Sequence, residues 1–310
     1  MNILIIGLGS IASKHINAIN KIDNKIKIFA YRSIGHQNSI KGVTDIYSLE
    51  DLEVKFDFAI ISNPTHLHSH FIDLLSEKGI HLFIEKPPLD SLKNADILLK
   101  KVESSNIITY VGCNLRFHPS LVFLKKELLL KNKRINEVNI YSGSYLPNWR
   151  PGKNFRDIYS ANPEMGGGVH LDLFHELDYA FWLFGKPNKV TSIKRNVSSL
   201  NISAIDYANF LFEYDEYTIN IVLNYYRKDS KRSIEILFEN QTWIIDILNN
   251  KIMDAESNLL FIDEKFEIVN TYFEQMTYFI DALKNKKQTM NSFANSIDIL
   301  KLCLNERNVK

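Results

Sequence analysis

The sequence predicts an N-terminal α/β domain with a parallel sheet, followed by a second domain built mainly of strands. Up to residue 111, short apolar runs alternate with stretches of helical periodicity, which indicates βαβ units. From residue 189 to residue 248, apolar and polar residues alternate, as in strands with one buried face. A chain of 310 residues is long enough for two domains. We expect them to cover residues 1–118 and 119–310.

Composition excludes several classes of protein. The apolar share of 45% and the charged share of 24% are ordinary for a soluble protein, and the net charge of +1 suggests neither a nucleic-acid nor a membrane partner. The two cysteines, Cys113 and Cys303, belong to no metal-like cluster and suit a reducing cytoplasm. The opening apolar run ends at Gly7, too early for a signal peptide. We therefore expect a cytoplasmic protein without a metal site.

The first strand leads into the clearest motif. Residues 3–6 are fully apolar, as in a central parallel strand. Gly7, Gly9 and Ala12 follow in a G-x-G-x-x-A pattern, which allows a tight turn, close approach of a pyrophosphate and close packing of the next helix. Backbone N–H groups at that helix start would face the diphosphate. The alternative is a strand-turn-helix without a ligand. The predicted cofactor contacts here are Gly7, Gly9, Ser10, Ile11 and Ala12.

The second strand, residues 25–31, ends where this kind of domain selects its nucleotide. An NAD-selective fold places an acid about 20 residues past the glycines to bind the ribose. Here the sequence reads Tyr31-Arg32-Ser33. A guanidinium and a hydroxyl suit a 2′-phosphate, which favours NADP over NAD. Tyr31 or Arg32 could instead stack on adenine, or Arg32 could be a solvated surface residue.

Polar residues follow the later strands of the first domain. The expected strands are residues 56–62 (the third), 80–84 and 107–111, with helices at 65–78 and 91–104. Ligands bind beyond the carboxyl ends of parallel strands. The residues there are therefore candidate cofactor contacts: Asn63, Pro64, His66, His68, Glu85, Lys86 and Asn114.

Lys86 is the strongest catalytic candidate in this group. It lies between Glu85 and Pro87 at a strand end, where it can donate to a substrate hydroxyl or carbonyl. An ion pair with Glu85 is the alternative. We expect a cis bond before Pro87. For His66 and His68 we expect helix capping or packing on the nicotinamide ribose rather than catalysis.

A long polar and aromatic loop opens the second domain. A helix over residues 118–131 and a strand over 135–144 lead into residues 145–160. Loops of this length are functional or disordered, and interspersed aromatics and arginines argue against disorder. We interpret the loop as a substrate flap; the alternative is a loop packed on its own sheet. The candidate substrate contacts are Arg116, Trp149, Arg150, Arg156 and Tyr159.

Three glycines at residues 166–168 open a predicted helix that continues to residue 184. Asp172, His175, Glu176 and Tyr179 lie at i, i+3, i+4 and i+7 and so share one face. Asp172 could serve only to complement the helix dipole. That role does not account for an acid, an imidazole and a second acid in one stripe, so Asp172, His175 and Glu176 are candidate catalytic residues.

The remaining chain predicts more sheet and two helices. Strands are expected near residues 189–198, 204–213, 217–226, 232–239 and 242–248, weaker strands near 251–263, and helices near 270–284 and 292–304. One face of so large a sheet must be covered, and a second subunit is the expected cover. We expect a homodimer or homotetramer.

Five ordered motifs resemble the Gfo/Idh/MocA oxidoreductases, the relatives of glucose–fructose oxidoreductase and inositol dehydrogenase. The resemblance implies an N-terminal Rossmann domain and a C-terminal domain with a large open, mostly antiparallel sheet. It also implies hydride transfer between a nicotinamide and a sugar, cyclitol or related carbon. The motifs are Gly7-Leu-Gly-Ser-Ile-Ala, Asn63-Pro-Thr-His-Leu-His, Glu85-Lys-Pro-Pro-Leu, Arg116-Phe-His-Pro and Gly166-Gly-Gly-Val-His-Leu-Asp172.

The helix stripe departs from the family's usual pattern, in which a histidine follows the aspartate by four residues. Here Glu176 holds that place and His175 comes one residue early. At about 100° per residue, Glu176 and His175 lie about 40° and about 60° to either side of Asp172. An imidazole exchanges protons at neutral pH more readily than a carboxyl. We therefore expect His175 as acid–base, Asp172 as its orienter, Glu176 as a binder of a substrate hydroxyl or ribose, and Lys86 as the polariser of the hydroxyl.

Three functions remain open from the sequence. The leading one is an NAD(P)-dependent oxidoreductase acting on a sugar, nucleotide-sugar or cyclitol, with surface-polysaccharide sugar synthesis as one setting. A non-catalytic NADP-binding regulator is an alternative, against which Lys86 and the acid–imidazole stripe argue. The third is an enzyme of the same fold that carries its cofactor through a closed redox cycle.

Overall fold

A computed structural model describes residues 1–32, 40–49, 54–130 and 133–304. The chain divides into two compact units, residues 1–114 with 268–300, and residues 115–267 with 301–310. The expected second domain, residues 119–310, includes residues 268–300, which group with the first unit in this division. Ser33 lies outside the described residues.

The first unit contains a six-stranded parallel sheet, which confirms the predicted α/β domain. β1 lies inside the sheet, and its residues from Ile3 to Ile6 are at most 2% exposed, which accounts for the uninterrupted apolar run. The strands are β1 (Asn2–Ile6), β2 (Lys27–Tyr31), β3 (Val43–Ile46), β4 (Phe58–Ile61), β5 (His81–Glu85) and β6 (Thr109–Gly112). Their order is β3-β2-β1-β4-β5-β6, so the chain changes direction across the sheet between β1 and β4, where such folds bind ligands.

The helices of the described residues are α1 (Ser10–Ile22), α2 (His68–Glu77), α3 (Ala95–Ser104), α4 (Pro119–Leu130), α5 (Val169–Asp172), α6 (Phe174–Phe184), α7 (Asn270–Lys284) and α8 (Phe293–Leu304). α7 packs on α1. Its Phe279 ring lies 5.2 Å from that of Phe58 and 5.6 Å from that of Phe83. These contacts explain why the C-terminal segment belongs to the first unit. None of these helices is long and apolar enough to cross a bilayer.

The second unit contains an eight-stranded sheet, mostly antiparallel as expected. The strands are β7 (Ile135–Tyr145), β8 (Lys189–Arg195), β9 (Tyr207–Glu213), β10 (Thr218–Asn224), β11 (Tyr226–Phe238), β12 (Thr242–Asp246), β13 (Lys251–Asp254) and β14 (Leu259–Ile262). Their order is β14-β13-β12-β11-β7-β10-β9-β8, and β7 with β10 is the parallel pair. Val138 and Ile140 of β7 are buried, while the alternate residue Asn139 is not. This alternation gives the sheet one buried face.

Two elements differ from the sequence expectations. β3 was not predicted, so the strand expected as the third is β4. The single helix expected after the glycine run is interrupted: α5 ends at Asp172, Leu173 adopts φ −95° and ψ 26°, and α6 begins at Phe174. Asp172 and His175 therefore lie on different helices.

Candidate functional site

The turn after β1 has the shape that the glycine pattern predicts. Gly7 has φ +88°, and a Cβ there would lie 2.7 Å from the backbone of Asn63, so only glycine fits. Gly9 is exposed, and an added Cβ would meet no atom within 4 Å. Ala12 is fully buried beneath the start of α1. The turn is tight on its protein side and open toward solvent.

The start of α1 fits a dinucleotide diphosphate. The first N–H groups of a helix have no partner within it, and the residue before α1, Gly9, provides no side-chain cap. Ser10 is exposed and Ile11 half-buried, so their N–H groups can hold an anion. Both polar atoms of the Asn63 amide are buried without a hydrogen-bond partner among the described residues. A bound dinucleotide would supply such a partner.

Arg32 faces an acid on the neighbouring strand. Its Nη1 lies 3.4 Å from both carboxylate oxygens of Asp45 on β3, and its side chain is 9% exposed. A 2′-phosphate would have to compete with Asp45 for this guanidinium. The ring of Tyr31 packs edge-on against Phe71 at 5.9 Å.

His68 connects two loops, and its expected contact with the cofactor stays a prediction. It is 1% exposed. Its Nε2 lies 3.0 Å from the carbonyl oxygen of Asn63, and its Nδ1 lies 3.2 Å from that of Pro88. Burial lowers the pKa of the ring despite these contacts. Pro64 and His66 are exposed nearby, and their expected contacts with the cofactor stay predictions.

Glu85 contacts a histidine of α1. It is 8% exposed, and its Oε1 lies 2.6 Å from Nε2 of His15 on α1, a partner that the sequence analysis missed. Lys86 is half-buried at the end of β5, and the Lys86–Pro87 bond is cis as expected. Asn114 donates through Nδ2 to the hydroxyl of Thr271 at 2.7 Å.

In the second unit, Asp172 is held by two tyrosines. It is 4% exposed, and its two carboxylate oxygens accept hydrogen bonds from Tyr159 and Tyr225. Burial, reinforced by the charge of Asp172, raises the pKa of both phenols well above the ordinary value, so both remain donors. Asp172 is therefore fixed by these tyrosines, and its expected role as the orienter of His175 stays a prediction.

The glycine run allows this arrangement. Gly166 and Gly168 have φ +82° and +132°, and a Cβ on Gly167 would lie 2.0 Å from the carbonyl oxygen of Tyr159. No larger residue permits so close a contact. The loop that carries Tyr159 thus lies directly against the glycines before α5, and Asp172 is the last residue of that short helix.

Glu176 is a fixed charge paired with Arg232 of β11. Its side chain is fully buried, and Oε1 lies 2.9 Å from Nε of Arg232 and 3.1 Å from Nε2 of His175. Burial would raise the pKa of this carboxyl, but Arg232 and His175 outweigh it and lower the pKa to about 2. Glu176 is therefore ionised at neutral pH, where a carboxylate with so low a pKa is a weak proton acceptor.

Arg232 was missed in the sequence analysis, although the strand pattern held a signal for it. In β11 it lies opposite Ser142, two residues before Ile234, which lies opposite Ile140. It therefore occupies an inward register position, on the same face as the buried residues Ile234 and Ser142. A cation there requires a buried partner of opposite charge.

Arg232 and Glu176 compete for the same nitrogen of His175. Nε2 lies 2.7 Å from Nη2 of Arg232. If His175 accepts from Arg232, its hydrogen is on Nδ1. If Nε2–H donates to Glu176, Nδ1 can exchange protons in the neutral ring. Glu176 is thus placed to orient His175 as Asp172 was expected to do.

The loop over residues 145–160 packs largely on its own unit, as the alternative interpretation held. Trp149 donates through Nε1 to a β7 hydroxyl at 2.9 Å, and Arg156 donates to the carbonyl of Leu200 at 3.0 Å. Arg150 is exposed, with its guanidinium carbon 5.8 Å from the ring centroid of Tyr159.

Arg116 lies in a buried ion pair, and its expected contact with the substrate stays a prediction. It is 4% exposed, and Nε and Nη2 each donate to a carboxylate oxygen of Asp178 at 2.8 Å. Asp178 is 1% exposed. This two-bond pair satisfies the planar fork of the guanidinium.

Comparisons with known proteins agree with the fold. Residues 1–113 match the family model described as "Oxidoreductase family, NAD-binding Rossmann fold", and residues 123–244 match "GFO/IDH/MocA C-terminal domain". The UDP-N-acetylglucosamine 3-dehydrogenase of Acidithiobacillus ferrooxidans superposes with a TM-score of 0.78 at 17% identity, covering 98% of this chain and 95% of that one.

Two relatives show the range of named activities. The 2,7-anhydro-N-acetylneuraminate hydratase of Mediterraneibacter gnavus is 28% identical over 54% of this chain and 43% of the relative. The myo-inositol 2-dehydrogenase of Thermotoga maritima is 24% identical over 60% of this chain and 55% of the relative. The chain thus spans about half the length of the curated relatives it matches. With both of its domains matched by family models, the chain belongs to the Gfo/Idh/MocA family of oxidoreductases.

Proposed function

We propose that this protein is an NAD(P)-dependent oxidoreductase that transfers a hydride to or from a carbinol carbon of a sugar, nucleotide-sugar or cyclitol. The observation that carries the proposal is the position of Lys86. It follows β5, so it lies at the same edge of the parallel sheet as the glycine turn after β1. A lysine at that edge can serve a hydroxyl beside the cofactor.

When bound, the nicotinamide would supply the carbon that accepts or returns the hydride. Lys86 polarises the carbinol hydroxyl through its ammonium group. His175 is the residue of the helix stripe that exchanges the hydroxyl proton, and its Nε2 is held between Nη2 of Arg232 at 2.7 Å and Oε1 of Glu176 at 3.1 Å. Asp172 contributes a fixed negative charge held by Tyr159 and Tyr225.

The test is turnover with a panel that includes myo-inositol and UDP-N-acetylglucosamine, followed through the absorbance of the reduced nicotinamide. We expect Lys86→Ala to retain the fold and nucleotide binding while losing at least about 100-fold in turnover, the scale of one general acid–base contribution. A variant within a few-fold of the wild type would remove Lys86 from the reaction.

We propose NADP as the preferred cofactor. Arg32 is the residue that supports this choice, since its guanidinium suits a 2′-phosphate. Asp45 opposes it, because the carboxylate already lies 3.4 Å from that guanidinium. The preference therefore depends on the phosphate displacing Asp45.

A second candidate is a reaction with no net oxidation, in which the cofactor returns to its starting state. One of the relatives is named a hydratase, and this name supports the second candidate. Product analysis separates the two: the first proposal requires one reduced nicotinamide for each product formed, whereas a closed cycle forms product without a lasting change in the cofactor.

We also propose that the open face of the second unit's sheet forms a dimer interface, within a homodimer or homotetramer. Ile193 of β8 and Leu211 of β9 are 50% and 37% exposed on this face, and a second copy would cover them. Sedimentation at micromolar concentration should give at least twice the mass of one chain. A particle of one chain's mass would refute the interface.

A further inference from the structure

The buried pair of His15 and Glu85 is more than dinucleotide binding requires. His15 is fully buried on α1, and Glu85 is 8% exposed at the end of β5. Their contact of 2.6 Å joins residues 70 positions apart. A carboxylate this buried needs a strong donor, and Nε2–H of His15 supplies it.

The same carboxylate also contacts Lys86. While Oε1 of Glu85 binds His15, Oε2 accepts from the main-chain N–H of Lys86 at 3.3 Å. A Cβ on Gly112 would lie 3.2 Å from Oε1 and 2.9 Å from the ring of Phe83. The carboxylate is therefore enclosed and faces both α1 and Lys86.

The ring of His15 is fixed from two further sides. Its centroid lies 4.8 Å from that of Phe83 and 5.9 Å from that of Tyr272 on α7, both edge-on. Its Nδ1 is buried without a hydrogen-bond partner among the described residues. Burying that nitrogen is costly, whereas an apolar ring would avoid the cost. The arrangement makes sense if Nε2 has a role that an apolar ring could not perform.

We propose that His15 and Glu85 are positioning residues that act on Lys86. The inference rests on the proposed function, in which Lys86 binds the substrate hydroxyl. α1 carries His15 and, at its first turn, the N–H groups that fit the diphosphate. The pair thus connects Lys86 to the element that holds the cofactor.

The position of Lys86 can be followed without any substrate. Lysines of the full chain are reductively methylated with ¹³C-formaldehyde, and the Lys86 NMR signal is assigned with Lys86→Arg. We expect this signal to shift in His15→Phe and Glu85→Gln. It should stay near the wild-type value in His15→Gln, whose amide can donate in place of Nε2–H. Ile19→Val, also fully buried on α1, is the control and should leave it unchanged. An unshifted signal in His15→Phe would overturn the proposal.

A kinetic cycle tests whether the effect acts through Lys86. His15→Phe should lower turnover roughly 10- to 100-fold, the scale of a small misplacement of a catalytic group, with the Kd for NADPH changed less than about threefold. In the Lys86→Ala background it should cause no further loss. An equal loss in both backgrounds would overturn the proposal. Full activity of Lys86→Ala alone would refute the proposed function. The NMR comparison would still decide whether His15 and Glu85 position Lys86.

Discussion

Replacing Arg232 by methionine should lower the free energy of unfolding of the second unit, because it removes the cation beside the buried carboxylate of Glu176. The change removes the charge and keeps an unbranched side chain of moderate length. It leaves the carboxylate of Glu176, whose side chain is fully buried, with the imidazole of His175 and the hydroxyl of Tyr179 as its close partners. Removing one partner of a buried ion pair costs about 3–5 kcal/mol.

The pKa of Glu176 reflects the same ion pair together with the opposing effect of burial. Burial would raise it, yet Arg232 and His175 lower it from 4.5 to about 2, and at about 1.36 kcal/mol per pKa unit this corresponds to about 3 kcal/mol. A lowered pKa stabilises the folded state above the unfolded-state pKa, and this stabilisation is lost as the pH falls from about 4.5 toward 2. In Arg232→Met, burial raises the pKa, so protonation relieves the penalty in mild acid. The difference between wild type and variant should be largest at pH 7 and smaller near pH 4.

Urea unfolding followed by tryptophan fluorescence isolates the second unit, because it contains every tryptophan of the chain: Trp149, Trp182 and Trp243. The matched control is Lys189→Met, which removes an exposed ion pair with Glu213 whose side chains are 47% and 35% exposed and should cost less than about 1 kcal/mol. Adding Glu176→Gln to Arg232→Met should recover much of the loss. The reasoning fails if Arg232→Met costs no more than the control at pH 7, or if the double variant is no more stable than the single one.

Three further changes test other contacts. Tyr225→Phe removes one donor to Asp172 and should lower the free energy of unfolding by about 1.5–3 kcal/mol, measured by the same fluorescence; a loss near zero would mean that the bond is not needed. Arg32→Ala should weaken NADPH binding roughly 10- to 150-fold and Asp45→Asn should strengthen it, both by titration; equal wild-type affinities for NADPH and NADH would contradict the assignment. Gly167→Ala places a Cβ 2.0 Å from a carbonyl oxygen and should lower the Tm, so an unchanged Tm would argue against the close contact.

The sequence predicts elements well where the pattern is local. β1 could be identified because burial on both faces requires an apolar run, and the turn after it because Gly7 must adopt a positive φ. β3 could not be identified from the sequence, because it is a short edge strand that is half-buried and contains the polar residues Thr44 and Asp45. α7 was identified as a helix, but its place in the first unit depends on Phe279 packing against distant strands, which periodicity cannot reveal.

The candidate site was predictable only in part for a related reason. Strand ends identify Lys86 and the glycine turn because parallel strands bring their carboxyl ends to one edge. The partners that define the charges lie far away in sequence: His15 is 70 residues from Glu85, and Arg232 is 57 residues from His175. Local spacing contains no information about such pairs. A charged residue at an inward strand position, as with Arg232, is the exception that a register argument can detect.

The interruption at Leu173 decides how the acid–imidazole stripe must be interpreted. Angles around a helix have meaning only while the helix is continuous, and here α5 ends at Asp172 before α6 begins. The early position of His175 therefore does not place it on a shared face with Asp172. Asp172 binds Tyr159 and Tyr225, whereas His175 meets its own neighbour Glu176. Arg232 and His175 lower the pKa of Glu176 to about 2, so its carboxylate is placed to orient the imidazole 3.1 Å away, and we propose that His175 is the residue of this stripe that exchanges protons at neutral pH.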